Sequence, residues 1–211
     1  MREPAAIPPV SVGAVLLAAG RSKRMGQPKL LLRWGKASIL SHLLSQWQQL
    51  GAKQLTVVCA ADDDVINREL DQLGFPASQR ILNPAPERGM FSSLQCAAQW
   101  PRWQPGLTHW AIVLGDQPHL RVETLARTLE FCVAHPDKIC QPRYDGHRRH
   151  PVLLPEWAFG QLAKSTAQDF RQFLDALPER SAYCELSDPG LALDLDFPQD
   201  YERAVKTYGP H

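Results

Sequence analysis

Residues 15–32 read Val-Leu-Leu-Ala-Ala-Gly-Arg-Ser-Lys-Arg-Met-Gly-Gln-Pro-Lys-Leu-Leu-Leu, and this stretch decides the fold. An apolar strand over Ser11–Ala19 runs straight into a turn of small residues. A near-continuous apolar run of this kind suits a strand covered on both faces. Ala18, Ala19 and Gly20 leave room for a ligand to approach the main chain. Free N–H groups in such a loop can cradle phosphate oxygens. Arg21, Lys23, Arg24 and Lys29 bring positive charge to where a polyphosphate would lie. Spacing excludes two familiar phosphate loops. Walker A requires G-x-x-x-x-G-K-[ST], but the fifth residue after Gly20 is Met25, and Gly26 is followed by Gln27. The dinucleotide fingerprint G-x-G-x-x-G fails at Ser22. Two readings remain: a triphosphate-binding loop of another class, or a cationic surface turn behind a buried strand.

Outward from this loop, strands and helices alternate. Ile39, Leu40, Leu43, Leu44 and Trp47 recur at helical spacing, so 38–50 reads as a helix stopped by Gly51. Residues 54–60 form a second buried strand, 62–73 a helix opened by acidic residues, 79–83 a short strand and 92–100 a third helix. The run HWAIVL, 109–114, is a third buried strand. A helix over 123–134, strands near 138–142 and 151–154, a mostly helical stretch over 157–177, a late strand over 191–195 and a closing helix over 198–208 complete the chain. This order predicts an α/β protein, a three-layer α/β/α sandwich with a mainly parallel sheet. Ligands of such sheets bind outside the carboxyl ends of the strands.

A length of 211 residues fits one domain, taken as 12–208 after a flexible leader over 1–11 that holds three prolines. The net charge of +1 argues against a general nucleic-acid partner. No apolar run approaches the roughly 20 residues that span a bilayer, so no membrane partner is expected. Five cysteines, an odd number without a C-x-x-C pair, point to neither a disulfide framework nor a thiolate zinc site. Reduced thiols in a cytoplasmic protein are the simplest account.

Four further constellations carry chemistry. In Val113–Pro118 a buried strand ends at Gly115 and Asp116 follows, which puts a carboxylate at the same sheet edge as Gly20. Carboxylate oxygens plus substrate phosphates suit magnesium. In Leu191–Asp200, an extended backbone would turn Asp194 and Asp196 to one face and Leu193, Leu195 and Phe197 to the other. That pair is either a second metal ligand or the solvated face of an edge strand. In Asn83–Leu94, Ser92 or Ser93 either caps a helix or, with free N–H groups near Gly89, meets a nucleobase edge. The basic stretch Arg143–Pro151 either lines an acidic-substrate pocket or forms a solvated loop.

Taken in order, A-A-G-R-S-K-R-M-G-Q-P-K at 18–29, N-P-x-x-x-R-G-M-x-S-S-L at 83–94, G-D-Q-P at 115–118, H-P-V at 150–152 and L-D-L-D-F-P-Q-D at 193–200 resemble the nucleotidyltransferases of the molybdenum cofactor, and most closely their cytidylyltransferase group. The resemblance implies a Rossmann-like nucleotide-diphospho-sugar transferase fold and a magnesium-dependent enzyme. It would transfer CMP from CTP to molybdopterin-bound molybdenum with release of pyrophosphate, and it would meet a molybdoenzyme transiently. It implies that Ala18, Ala19, Gly20 and Arg21 hold the nucleotide, with Gly89, Ser92 and Ser93 at the base or ribose. Arg24, Lys29 and Asp116 would be catalytic, Asp116 with Asp194 or Asp196 would hold the metal, and His150 would meet the acceptor. Within the family Ala-Ala-Gly goes with CTP and Leu-Ala-Gly-Gly with GTP, so Ala19 favours cytidine. The chain departs from the pattern at Arg149, where the family usually has glycine before His-Pro. The alternatives are guanylyl transfer, another phosphorylated acceptor, or a non-catalytic nucleotide- or cofactor-binding module. The last fits poorly with Arg24, Lys29 and Asp116 occurring together.

Overall fold

Side chains of the inner strands leave the sheet alternately, and each face collects its own core. In the computed structural model, which describes residues 10–209, β1 (Val12–Leu17) sends Ala14 and Leu16 to one side and Val15 to the other. β4 (Gln54–Ala60) divides Val57 and Cys59 from Val58, and β6 (His109–Leu114) divides Ala111 and Val113 from Trp110 and Ile112. This period of two with both faces covered makes three layers. On the first face lie α1 (Ile39–Gln49), α2 (Asp64–Gln72), α4 (Val122–Ala134) and α7 (Pro198–Tyr208). On the second lie α3 (Met90–Gln99), α5 (Glu156–Leu162) and α6 (Phe170–Asp175).

A small hairpin, β2 (Arg33–Trp34) with β3 (Ala37–Ser38), precedes α1. The remaining strands are β5 (Arg80–Asn83), β7 (Ile139–Tyr144), β8 (His147–Arg148), β9 (Val152–Pro155) and β10 (Ser181–Glu185). The main sheet has eight strands in the order β10-β7-β9-β6-β1-β4-β5, with β8 beside β7. β9 is antiparallel to both β6 and β7, while β1, β4, β5 and β6 are parallel. The expected α/β/α fold with a mainly parallel sheet is therefore present. The pairing Leu17↔Leu114 brings the ends of β1 and β6 level, so the loops after them open side by side.

Four expectations change. Residues 191–195 are not a strand: Pro189–Ala192 form a 3-10 turn, and Leu195 N–H bonds to the Asp116 carbonyl instead of to a strand ladder. Leu191, Leu193 and Leu195 are still buried, which explains the strand-like alternation, but Phe197 is exposed and not on their face. The helical stretch 157–177 splits into α5 and α6. β10 has no counterpart among the expected elements, and it pairs with β7 at the edge of the sheet. Residues 1–9 of the expected leader lie outside the described residues. Its last two are not loose: Ser11 N–H donates to Thr108 Oγ1 at 2.8 Å, and Val10 packs on the core.

Candidate active site

The turn after β1 is anchored where it leaves the sheet. Ala18 N–H donates to the Val58 carbonyl at 2.8 Å. Ser22 adopts a left-handed conformation with φ of 47° and starts a 3-10 turn over Lys23–Met25. Its hydroxyl accepts from Lys29 N–H at 3.2 Å, which folds the basic loop back on itself. Beside it, Gly115 ends β6. A Cβ there would stand 2.9 Å from both the Leu17 carbonyl and the Leu30 side chain, so only glycine allows this approach.

These turns, the Pro86–Met90 segment and residues 195–196 enclose a cleft of about 750 Å³ at the carboxyl edge of β1 and β6. Ala18, Ala19, Gly20, Arg21, Arg24, Lys29, Gly89, Ser93, Asp116 and Asp196 line it; Ser92, Asp194 and His150 do not. Lys23 of the basic loop lines it too, and sequence reasoning missed Glu87 and Met90. Both lie within two positions of Gly89, and closeness in a tight turn was the available signal.

Two cations of the cleft face carboxylates of the same wall. Lys29 Nζ donates to Asp116 Oδ2 at 2.8 Å, with side chains only 17% and 21% exposed. Arg24 pairs with Asp196 at 2.9 Å and lies over the Phe197 ring. Arg21 turns outward to Asp62 at 2.9 Å in an exposed pair. Asp116 Oδ1 is buried and has no hydrogen-bond partner among the described residues. An orphaned carboxylate oxygen costs free energy unless something occupies it. It sits beside phosphate-sized space and a second carboxylate, and that donor set fits a hard divalent cation.

Asp194 and Asp196 do not share a face. Asp196 N–H bonds to the Asp194 carbonyl at 3.1 Å, an i to i+2 turn that breaks the extended geometry. Asp196 thereby reaches the cleft, while Asp194 Oδ1 accepts from Gln117 Nε2 at 2.8 Å. One edge of Asp194 meets solvent, yet the protein around its carboxyl, and then the Asp116 charge, raise its pKa above the ordinary value. Among the described residues, no group of three acidic, histidine or cysteine side chains gathers as a ready metal cage.

Ser92 and Ser93 are buried within α3 rather than capping it; the cap position is Gly89, at φ of 86°. Ser92 Oγ is 2.8 Å from the Gly89 carbonyl, and Asn83 Nδ2 donates to both serine hydroxyls. These bonds brace the turn that leads into α3, and only Ser93 also faces the cleft.

The basic stretch is a built feature. β7 turns at Asp145-Gly146, both left-handed, into β8, a two-residue connection of the kind hairpins favour. Beyond it, a cis peptide joins His150 to Pro151 at the head of β9. A second groove, of about 700 Å³, lies here and shares Met90 with the first. His150 lines it. Burial lowers the His150 pKa, against the opposing pull of the Asp116 charge.

A basic turn and an acidic turn facing each other at the carboxyl edge of a parallel sheet are the setting of a nucleotidyltransferase. The chain belongs to the MobA-like NTP transferase domain family, whose model matches residues 14–181. It is 24% identical over 199 residues to the molybdenum cofactor cytidylyltransferase of Escherichia coli, covering 94% of this chain and 97% of that protein. It is 30% identical over 142 residues to a molybdenum cofactor guanylyltransferase of Rhizobium johnstonii, covering 67% of this chain and 61% of that one. Its fold is similar to the crystal structure of Rv0371c from Mycobacterium tuberculosis, with a TM-score of 0.71 and 25% identity over 94% of this chain and 99% of that one. The same mycobacterial protein in complex with manganese superposes with a TM-score of 0.67 at 24% identity, over 94% of this chain and 100% of that one.

Proposed function

We propose that this nucleotidyltransferase moves CMP from CTP to the molybdenum cofactor, with magnesium as its metal. The observation that carries the reading is the paired cleft: Lys29 with Asp116 and Arg24 with Asp196. These two pairs are neutral as they stand and gain most from a ligand that brings both signs at once. A triphosphate with its cation is that ligand, because each protein charge then exchanges its present partner for one on the ligand.

Ala18, Ala19 and Gly20 would let the triphosphate lie against the main chain. Lys29 and Arg24 would neutralise charge at the α-phosphate and on the departing pyrophosphate. Asp116, through its free Oδ1, and Asp196 would hold the metal, and Asp194 would steady the turn behind them. Bound there, magnesium would supply charge neutralisation at the transferred phosphoryl group. A phosphate oxygen of the acceptor attacks the α-phosphorus, the bond from that phosphorus to the bridging oxygen breaks, and pyrophosphate leaves. Transfers of this kind rest on positioning and electrostatics and need no covalent intermediate with the protein. Ala19 in the first turn supports cytidine, as does the near full-length likeness to the cytidylyltransferase.

Pyrophosphate release with CTP, GTP, ATP and UTP, each with magnesium and purified molybdenum cofactor, tests the reading. Release with CTP is expected. Preference for GTP, towards which the likeness to a guanylyltransferase points, would replace the donor and keep the chemistry. No release with any nucleotide would remove the assignment.

A further inference from the structure

The second groove differs from the first in one respect that its lining makes plain. Arg143, Arg148, Arg149 and Arg171 line it, with no carboxylate among the lining residues. Just outside, Glu185 pairs with Arg143, and Asp175 is shared by Arg148 and Arg171. Among the described residues Arg149 makes no ion pair. Positive charge therefore remains in excess.

Hydrogen-bond donors are in excess as well. Arg143 Nε, Arg149 Nε and Gln141 Nε2 are buried and have no hydrogen-bond partner among the described residues. Gln141 is only 2% exposed and sits in the middle of β7, where an apolar side chain would otherwise be expected. Buried donors are nearly always satisfied, and three left open in one groove mark the place of a missing acceptor. A carboxylate offers two oxygens, whereas a phosphomonoester offers three and a second negative charge.

We infer that this groove is the seat of the acceptor's phosphomonoester, held by Gln141, Arg143 and Arg149, and that Arg149 sets the preference for a dianion. The inference rests on the transferase reading and adds to it the seat of the acceptor's phosphate and the residue that selects for its charge. The groove adjoins the nucleotide cleft through Met90, and the Asp116 charge reaches His150 on its wall, so an anion seated there stands next to the triphosphate.

The test uses inorganic phosphate as the probe, titrated calorimetrically into the full chain without nucleotide or metal. Wild type should bind phosphate saturably. R149G should bind it at least about tenfold more weakly, the cost expected for one lost charge-assisted contact. R149K should recover part of the loss, Q141L should weaken binding by a smaller factor, and acetate should bind more weakly than phosphate. K29A, altered in the nucleotide cleft, should retain phosphate. Absence of saturable binding, equal binding by wild type and R149G, or loss in K29A but not in R149G would each overturn the proposal. Failure of the transferase reading has a different signature: no pyrophosphate release with any nucleotide, whatever the phosphate titration shows.

Discussion

The two grooves at the carboxyl edge of the sheet stand side by side and solve opposite electrostatic problems. In the first, every acidic residue of the wall named as a metal ligand already faces a cation, Asp116 with Lys29 and Asp196 with Arg24. In the second, four arginines outnumber the two carboxylates paired with them from outside, and buried N–H groups stand open. A self-paired site discriminates against a lone anion, because binding it would strand a carboxylate. A one-signed site welcomes a lone anion and would repel a cation. The contrast predicts an order: the metal–nucleotide complex belongs to the first groove and the free phosphate ester to the second.

The comparison breaks most sharply at Asp116. D116N removes the charge on the metal side and leaves Lys29 without its partner, so turnover should fall by at least about a thousandfold, the upper range for one electrostatic contact to a reacting centre. The variant should fold, because an amide oxygen can still accept from Lys29; circular dichroism and pyrophosphate release together check both points. K29A should lower kcat by about a hundredfold. The double variant should fall little further than D116N, since residues that act as a unit do not add.

A weaker effect belongs to the second groove. R149G should raise the KM for the acceptor by about tenfold and leave the KM for CTP within about twofold, a pattern for binding lost equally in ground and transition states. Initial rates with each substrate varied in turn would show it, and an unchanged acceptor KM would erase the distinction between the grooves.

How much of this was legible in the sequence depended on how local the cause is. β1, β4 and β6 are runs of valine, leucine and isoleucine whose burial on both faces needs no partner to be recognised, and the small turn at 18–20 follows in register. β10 escaped notice because SAYCE has little apolar signal of its own and becomes a strand only by pairing with β7, about 40 positions earlier. The reverse error fell on 191–195. Its alternating leucines do enter the core, but Pro189-Gly190 starts a turn, and the nearest main chain offers a single carbonyl, that of Asp116. The i to i+2 bond that separates Asp194 from Asp196 left no trace in residue order. Lys29 and Asp116 were visible as chemistry, yet their pairing arises from the side-by-side ends of β1 and β6. The open donors of Gln141 and Arg149 were invisible for the same reason: an unpartnered group is defined by everything around it.

The smallest expected effect concerns stability. His109 and His119 are buried and His42 is half-buried, and desolvation lowers each pKa below the ordinary value near 6.5, only partly offset by backbone carbonyl partners. The unfolded chain then binds more protons than the folded one once the pH drops below about 6.5, so stability is full above that pH and declines as pH falls towards the folded values. Thermal melts from pH 8 to pH 5 should show a Tm that is level at first and then falls. H109Q, which can keep a donor towards the Pro136 carbonyl, should flatten part of that slope.

The exchange of partners in the nucleotide cleft is the central claim, and CTP affinity measured with and without magnesium in wild type and D116N tests it directly. Magnesium should tighten CTP binding to wild type by at least about tenfold, or about 1.4 kcal/mol, and change it little in D116N. Equal tightening in both proteins would contradict the account.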